Sequence, residues 1–173
     1  LFRVSDYMLG YALLVVSPDP VDLDITFSDV FVTYDDIFKE NGILLQTYFT
    51  DKLVLNTNRQ FFYDILQNLV DNSVKALKEV SGERVIKCSY QFEDEYLQIL
   101  MSDNGCGIPE DERVKVFELY YTTTEKQGGA GVGLYIVKTR VESLKGTVAV
   151  INSEFGKVGT TIEIRIPFKN NKV

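Results

Sequence analysis

Asn68, Asn72 and Lys75 are four and three residues apart, the spacing that places side chains on one face of an α-helix. Asparagine is a poor residue for a helix interior, because its amide competes for backbone hydrogen bonds. Two of them beside an apolar stripe therefore point to a task. Asn72 offers a neutral amide oxygen of the kind Mg²⁺ accepts alongside waters and phosphate oxygens. Lys75, one turn on, would then face a phosphate. Taken alone, this stretch is equally well read as a solvated polar face.

Asp103 follows the alternating stretch Tyr96–Ser102 and precedes Gly105 and Gly107. A carboxylate at a strand end can accept the hydrogen of an exocyclic amine such as adenine's, and glycines let backbone approach a flat ring closely. A type I turn opened by Asp is the alternative, and Ile108 and Pro109 fit both. Further on, Gly128, Gly129, Gly131 and Gly133 lead directly into Leu134-Tyr-Ile-Val-Lys138. Free amides and the helix dipole make such a glycine-rich helix start an anion site, unless it is a plain flexible loop. No Gly-Lys-Ser/Thr follows, which excludes a P-loop. A long polar loop rather than a strand precedes it, which excludes the dinucleotide-binding fingerprint.

The elements that must position these groups can be read from periodicity. Ser28 or Asp29 is a candidate cap for a helix to Glu40, stopped by Asn41-Gly42. Ile43–Thr50 and Leu53–Leu55 read as strands joined at Asp51-Lys52. Asn58 caps a helix over 59–80, whose Phe62, Ile65, Leu66, Leu69, Val70, Ser73 and Leu77 form a stripe facing the core. Arg84–Glu93 and Tyr96–Ser102 alternate like a hairpin. A polar loop over 108–129 holds one helical turn near 111–119. A helix over 132–144 and a closing hairpin, Thr147–Asn152 with Thr160–Pro167, complete an α/β pattern. Ser17-Pro-Asp-Pro20 breaks any preceding helix. Residues 1–20 are therefore expected to be a helical tail and linker, 21–168 the globular domain and 169–173 a tail.

Composition narrows the function classes. The chain has 173 residues, 45% of them hydrophobic, and a formal charge of −7, so neither nucleic acid nor an anionic membrane is an expected partner. Histidine is absent, which rules out histidine-based catalysis or metal binding within these residues. Cys88 and Cys106 lack partners at metal-ligand spacing, and with no secretion signal they suggest a cytoplasmic protein. The apolar run Tyr7–Val16 is too short to cross a bilayer.

In order, Asn68–Asn72, Asp103–Pro109, Val116–Thr123 and Gly129–Leu134 resemble the N, G1, F and G2 boxes of sensor histidine kinase catalytic domains. That superfamily also includes gyrase, Hsp90 and MutL. Ser153–Pro167 is similar to the family's closing hairpin, and the likeness runs from about Val21 to Phe168. It implies the Bergerat ATP-binding fold, a two-layer α/β sandwich with three helices on one face of a mixed sheet. It further implies that Asn72 ligates Mg²⁺, that Lys75 meets phosphate, and that Asp103 binds adenine with Thr161 nearby through a water. Gly105, Gly107 and Ile108 would lie along the base. Gly129, Gly131, Val132, Gly133 and Leu134 would hold the triphosphate, and a lid between Pro109 and Gly129 would bring Thr122 and Thr123.

The hydrolytic branches carry a glutamate four residues before the magnesium asparagine. Here that residue is Asn68, and an amide cannot act as a general base. The resemblance therefore implies phosphoryl transfer, with Asn68, Asn72 and Lys75 as the catalytic set. The implied partners are a histidine-bearing dimerisation domain of the same protein, a homodimer whose helix ends in Leu1–Val16, and a response-regulator receiver domain. An ATP-gated interaction module or a weak gyrase-type ATPase is the alternative. The chain departs from the family pattern at Tyr121, at Thr124 in place of a lysine, and at Ala130 and Val132. Lys126 or Lys138 would supply the missing cation.

Overall fold

The computed structural model describes residues 19–49, 53–93, 95–121, 131–156 and 158–168. Along the chain run β1 (Asp19–Asp22), α1 (Leu23–Thr33), α2 (Asp35–Asn41), β2 (Ile43–Phe49), β3 (Val54–Thr57), α3 (Arg59–Leu77), β4 (Arg84–Glu93), β5 (Tyr96–Asp103), α4 (Gly133–Ser143), β6 (Thr147–Ile151) and β7 (Thr160–Pro167). Short 3₁₀ turns lie at Glu110–Glu112 and Lys115–Phe117.

Five strands form the main sheet in the order β2-β4-β5-β7-β6. Only β2 and β4 run parallel, and the remaining pairs are antiparallel. Strand alternation splits the sheet into two faces. Ile86, Cys88 and Tyr90 of β4, Leu97, Ile99 and Met101 of β5, and Ile162, Ile164 and Ile166 of β7 are all buried in one cluster with the helices. The intervening residues face the other way and, Leu100 apart, are polar, among them Lys87, Gln91, Gln98, Glu163 and Arg165. The result is the expected two-layer α/β sandwich on a mixed sheet.

The α3 stripe behaves as its spacing predicts, with Phe62, Ile65, Leu66, Leu69, Val70, Ser73 and Leu77 all buried. Asn58 caps it, its side chain accepting the Gln60 N–H at 2.9 Å. The first helical region differs from expectation. It begins at Leu23, where the Asp22 carboxylate accepts the Ile25 N–H at 3.1 Å, and Ser28 and Asp29 are ordinary exposed interior positions. The helix also breaks at Tyr34, so two helices stand where one was expected and the described residues hold four rather than three. Tyr34 leaves helical geometry to stack on Phe38 and to donate its hydroxyl to Asp71 of α3 at 2.9 Å. Tertiary contact overrides the local pattern here. Gly42 ends α2 at φ +61°, the left-handed stop expected at that point.

Asp19 and Pro20, expected in a linker, belong to β1, which pairs antiparallel with β3. Pro20 is tolerable there because the pair has only two strands, so each is an edge. The expected helix over Leu1–Val16 and the turn at Asp51-Lys52 lie outside the described residues.

The aromatic centre joins α1 to the sheet. Phe27 is fully buried and meets Phe31, Phe49 and Tyr90 edge-on at 6.3, 5.4 and 5.3 Å. Phe27→Ala should lower the unfolding free energy by roughly 3–5 kcal/mol, the lost transfer energy plus a residual cavity. Urea titration measures this, and a loss under about 1 kcal/mol would mean α1 is not packed as described.

Candidate functional site

Asp103 is the last residue of β5 and is 5% exposed. Its Oδ2 accepts the Ser73 hydroxyl at 3.0 Å and its Oδ1 the Gly105 N–H at 2.9 Å. Thr160, its cross-strand neighbour on β7, adds a backbone bond. Burial pushes the carboxyl up to about 6, while the Gly105, Ser73 and Thr160 bonds act in the opposite direction. Gly105 packs directly on α3: a Cβ there would lie 2.7 Å from both the Cβ and the carbonyl oxygen of Ala76. Only glycine permits the chain to turn so close to the helix. Gly159 then donates its N–H to the Gly105 carbonyl at 3.0 Å, which ties the β6–β7 connection to the same turn.

Asn68, Asn72 and Lys75 sit on the partly buried side of α3. The Asn68 amide donates to the Asp64 carbonyl at 2.6 Å. Asn72 Nδ2 is buried with no hydrogen-bond partner among the described residues. A Cβ placed on Gly133, the first residue of α4, would be 3.0 Å from Asn68 Oδ1 and 3.7 Å from Asn72 Nδ2. The α4 start therefore rests on the two amides. No side chain among the described residues caps it, since Val132 at the cap position offers none, and first-turn N–H groups of this kind can meet an anion. Gly131, at φ +64°, lies against the Tyr120–Tyr121 backbone and its carbonyl accepts the Tyr120 N–H at 2.9 Å. Leu134 packs against the core.

One expected residue is displaced. Thr161 falls on the opposite sheet face from Asp103, its hydroxyl donating to Ser102 at 3.0 Å and accepting the Glu154 N–H at 3.2 Å. Thr160 pairs with Asp103 and shares its face. The strand register decides this, and two adjacent threonines in the sequence cannot. Ser73, visible in the α3 stripe, was not readable as an Asp103 partner because the contact crosses thirty residues. Ile108 and Gly107 follow the Gly105 turn and are partly buried. Lys138 lies near Glu142, at 4.0 Å on the same helix. Thr122, Thr123, Lys126 and Gly129 lie outside the described residues.

The site thus joins a buried carboxylate in a glycine turn to an uncapped helix start seated on two asparagines. The family model of histidine kinase-, DNA gyrase B-, and HSP90-like ATPases matches residues 57–170, and the chain belongs to that family. Among similar proteins, Sensor protein CiaH of Streptococcus pneumoniae is 33% identical over 151 residues, covering 81% of this chain and 31% of CiaH. The autoinducer 2 sensor kinase/phosphatase LuxQ of Vibrio harveyi is 36% identical over 130 residues, covering 72% of this chain and 14% of LuxQ. The chain therefore spans a third or less of these relatives. The mycobacterial sensor histidine kinase MprB shares the fold, with a TM-score of 0.74 at 23% identity over 88% of this chain and 97% of that one. Full-length ShkA in complex with AMPPNP gives a TM-score of 0.74 at 25% identity, over 94% of this chain and 33% of that one. Within the family the chain corresponds to the ATP-binding catalytic domain of sensor histidine kinases. No helix among the described residues is long and apolar enough to cross a membrane.

The Asp103 carboxyl, ordinarily near 3.8, is raised in the fold. The folded chain therefore holds this proton more tightly than the unfolded chain does. Its contribution to stability is fully present below about pH 4 and is lost as pH rises through about 6, a change of about 3 kcal/mol. Asp103→Asn should remove that component. Unfolding free energies of parent and variant at pH 4 and pH 7 measure it, with the variant gaining on the parent at the higher pH. An equal difference at both values would show that the carboxyl is not raised.

Proposed function

We propose that this domain binds Mg²⁺-ATP and delivers the γ-phosphate to a histidine on a separate dimerisation domain of the same protein. The observation that carries this is the α4 start resting on Asn68 and Asn72, with Asn72 Nδ2 buried and without a partner among the described residues. A buried amide without a partner is costly, and a bound group at that point would satisfy it. Amide oxygen and nitrogen are interchangeable by rotation, so Asn72 fits a hard cation as well as a phosphate-bound water. Magnesium would supply charge neutralisation across the phosphate chain.

The chain's own residues divide the remaining work. Asp103 accepts the adenine amine, and Thr160, on the same face, is the threonine placed to help it. The Gly105–Gly107 turn lets the base approach the backbone. Gly131, Val132, Gly133 and Leu134 present the α4 amides to phosphate oxygens, and Lys75, one turn beyond Asn72, adds a positive charge. Catalysis on this account is positioning and electrostatics.

Asn68 favours transfer over hydrolysis. It occupies the place of the hydrolytic branches' glutamate, its amide nitrogen is already bonded to the Asp64 carbonyl, and an amide takes no proton from water. The acceptor is not in this sequence, which has no histidine. A response-regulator receiver is the proposed downstream partner. ThkA, whose catalytic domain shares the fold, has been crystallised in complex with the response regulator protein TrrA.

Labelled γ-phosphate tests the proposal. The chain alone should stay unlabelled and release phosphate slowly, and it should label an added histidine-bearing domain from its own protein with an acid-labile product. Loss of even an outer partner of a metal typically costs about 10–100-fold, so Asn72→Ala should reduce transfer by at least roughly 100-fold while the fold persists. Rapid multiple-turnover phosphate release by the chain alone would instead assign it to hydrolysis.

A further inference from the structure

Below the phosphate end of the site, α3 and α4 are joined by an ion pair that the nucleotide chemistry does not itself require. Arg140 Nε donates to Asp64 Oδ2 at 2.7 Å, with the two side chains only 14% and 20% exposed. The guanidinium also lies over the Phe61 ring, 5.0 Å from its centroid. Asp64 is held on its other oxygen, Oδ1 accepting Gln60 Nε2 at 2.8 Å. A charge pair so fully surrounded is fixed in geometry, unlike an exposed pair held by solvent-screened attraction alone.

Its position along both helices gives it a consequence. Asp64 lies one helical turn from Asn68 on α3, and its backbone carbonyl receives the Asn68 amide. Arg140 lies two turns from Gly133 on the same stripe of α4. The two helices run antiparallel, so the pair pins the far end of α4 to the very turn that orients Asn68. Asn68 Oδ1 is in turn the atom on which the near end of α4 rests, at 3.0 Å from a Gly133 Cβ.

We propose that Asp64 and Arg140 are positioning residues for the phosphate subsite. By locking the α3–α4 separation and the axial register of α4, they set where the first-turn amides of α4 stand relative to Asn68 and Asn72. The adenine end is held by a different set of contacts, through Ser73, Gly105 and the β5–β7 register. Loosening the pair therefore acts on phosphate recognition and leaves base recognition in place. This rests on the nucleotide reading of the site given above.

The test compares ATP with adenosine, in the presence of Mg²⁺, by calorimetric titration of the whole 173-residue chain. Arg140→Leu keeps apolar bulk beside Phe61 but removes the pair, and Asp64→Asn keeps the shape but removes the charge. Each should weaken ATP binding by about tenfold, the scale of a sub-ångström misplacement of charged groups, while adenosine binding stays within about twofold of the parent. Arg140→Lys should recover much of the ATP affinity. A role confined to stability would move both ligands alike or neither. Equal losses for ATP and adenosine, or unchanged ATP affinity in both variants, would overturn the proposal. If Arg140→Leu does not fold, the isosteric Asp64→Asn decides alone. A parent chain that binds neither ligand would sink the nucleotide reading and this inference with it, whereas a parent that binds both while the variants lose both alike would sink this inference only.

Discussion

A carboxylate buried at the end of β5 is the constraint on which the rest of the molecule depends. Asp103 is taken out of water, which disfavours its charge, and then given the Ser73 hydroxyl and the Gly105 and Thr160 N–H groups, which favour it. Each of those bonds fixes a different element. Ser73 sets the rotation of α3 about its axis and so decides where its neighbour Asn72 points. Gly105 sets a turn that no residue with a Cβ could make against Ala76. Thr160 holds β7 in register with β5. Remove the carboxylate and three elements lose their common reference.

The same arrangement explains why the site has two semi-independent halves. The proposed base end lies on the sheet, at β5, β7 and the glycine turn. The proposed phosphate end lies on the helices, at the asparagines of α3 and the start of α4. Only α3 takes part in both, since Ser73 and Asn72 are consecutive.

Much of this was legible in the sequence because the signals were local. The α3 stripe, the Asn58 cap, the Gly42 stop and the strand alternation of β4 and β5 are all set by neighbours within a few residues. The two asparagines four apart, the Asp before a glycine turn and the glycines before a helix were legible as positions for the same reason. What was not legible depended on distance. Tyr34 breaks a helix because Asp71 is waiting on α3, and nothing near Tyr34 announces it. Asp22 caps α1 although two prolines just upstream make the stretch read as linker. That Thr160 rather than Thr161 shares the face of Asp103 follows from the β5–β7 register, and the Asp64–Arg140 pair joins residues far apart in the chain.

The central claim is that Asp103 is a buried carboxylate made to receive a purine amine. The most direct measurement is the titration of the Asp103 side-chain ¹³C resonance with and without saturating ADP. Without nucleotide the midpoint should lie near 6. With ADP bound, the amine donates to the charged form and the midpoint should fall below about 5. A midpoint that is unchanged or raised by ADP would contradict the account.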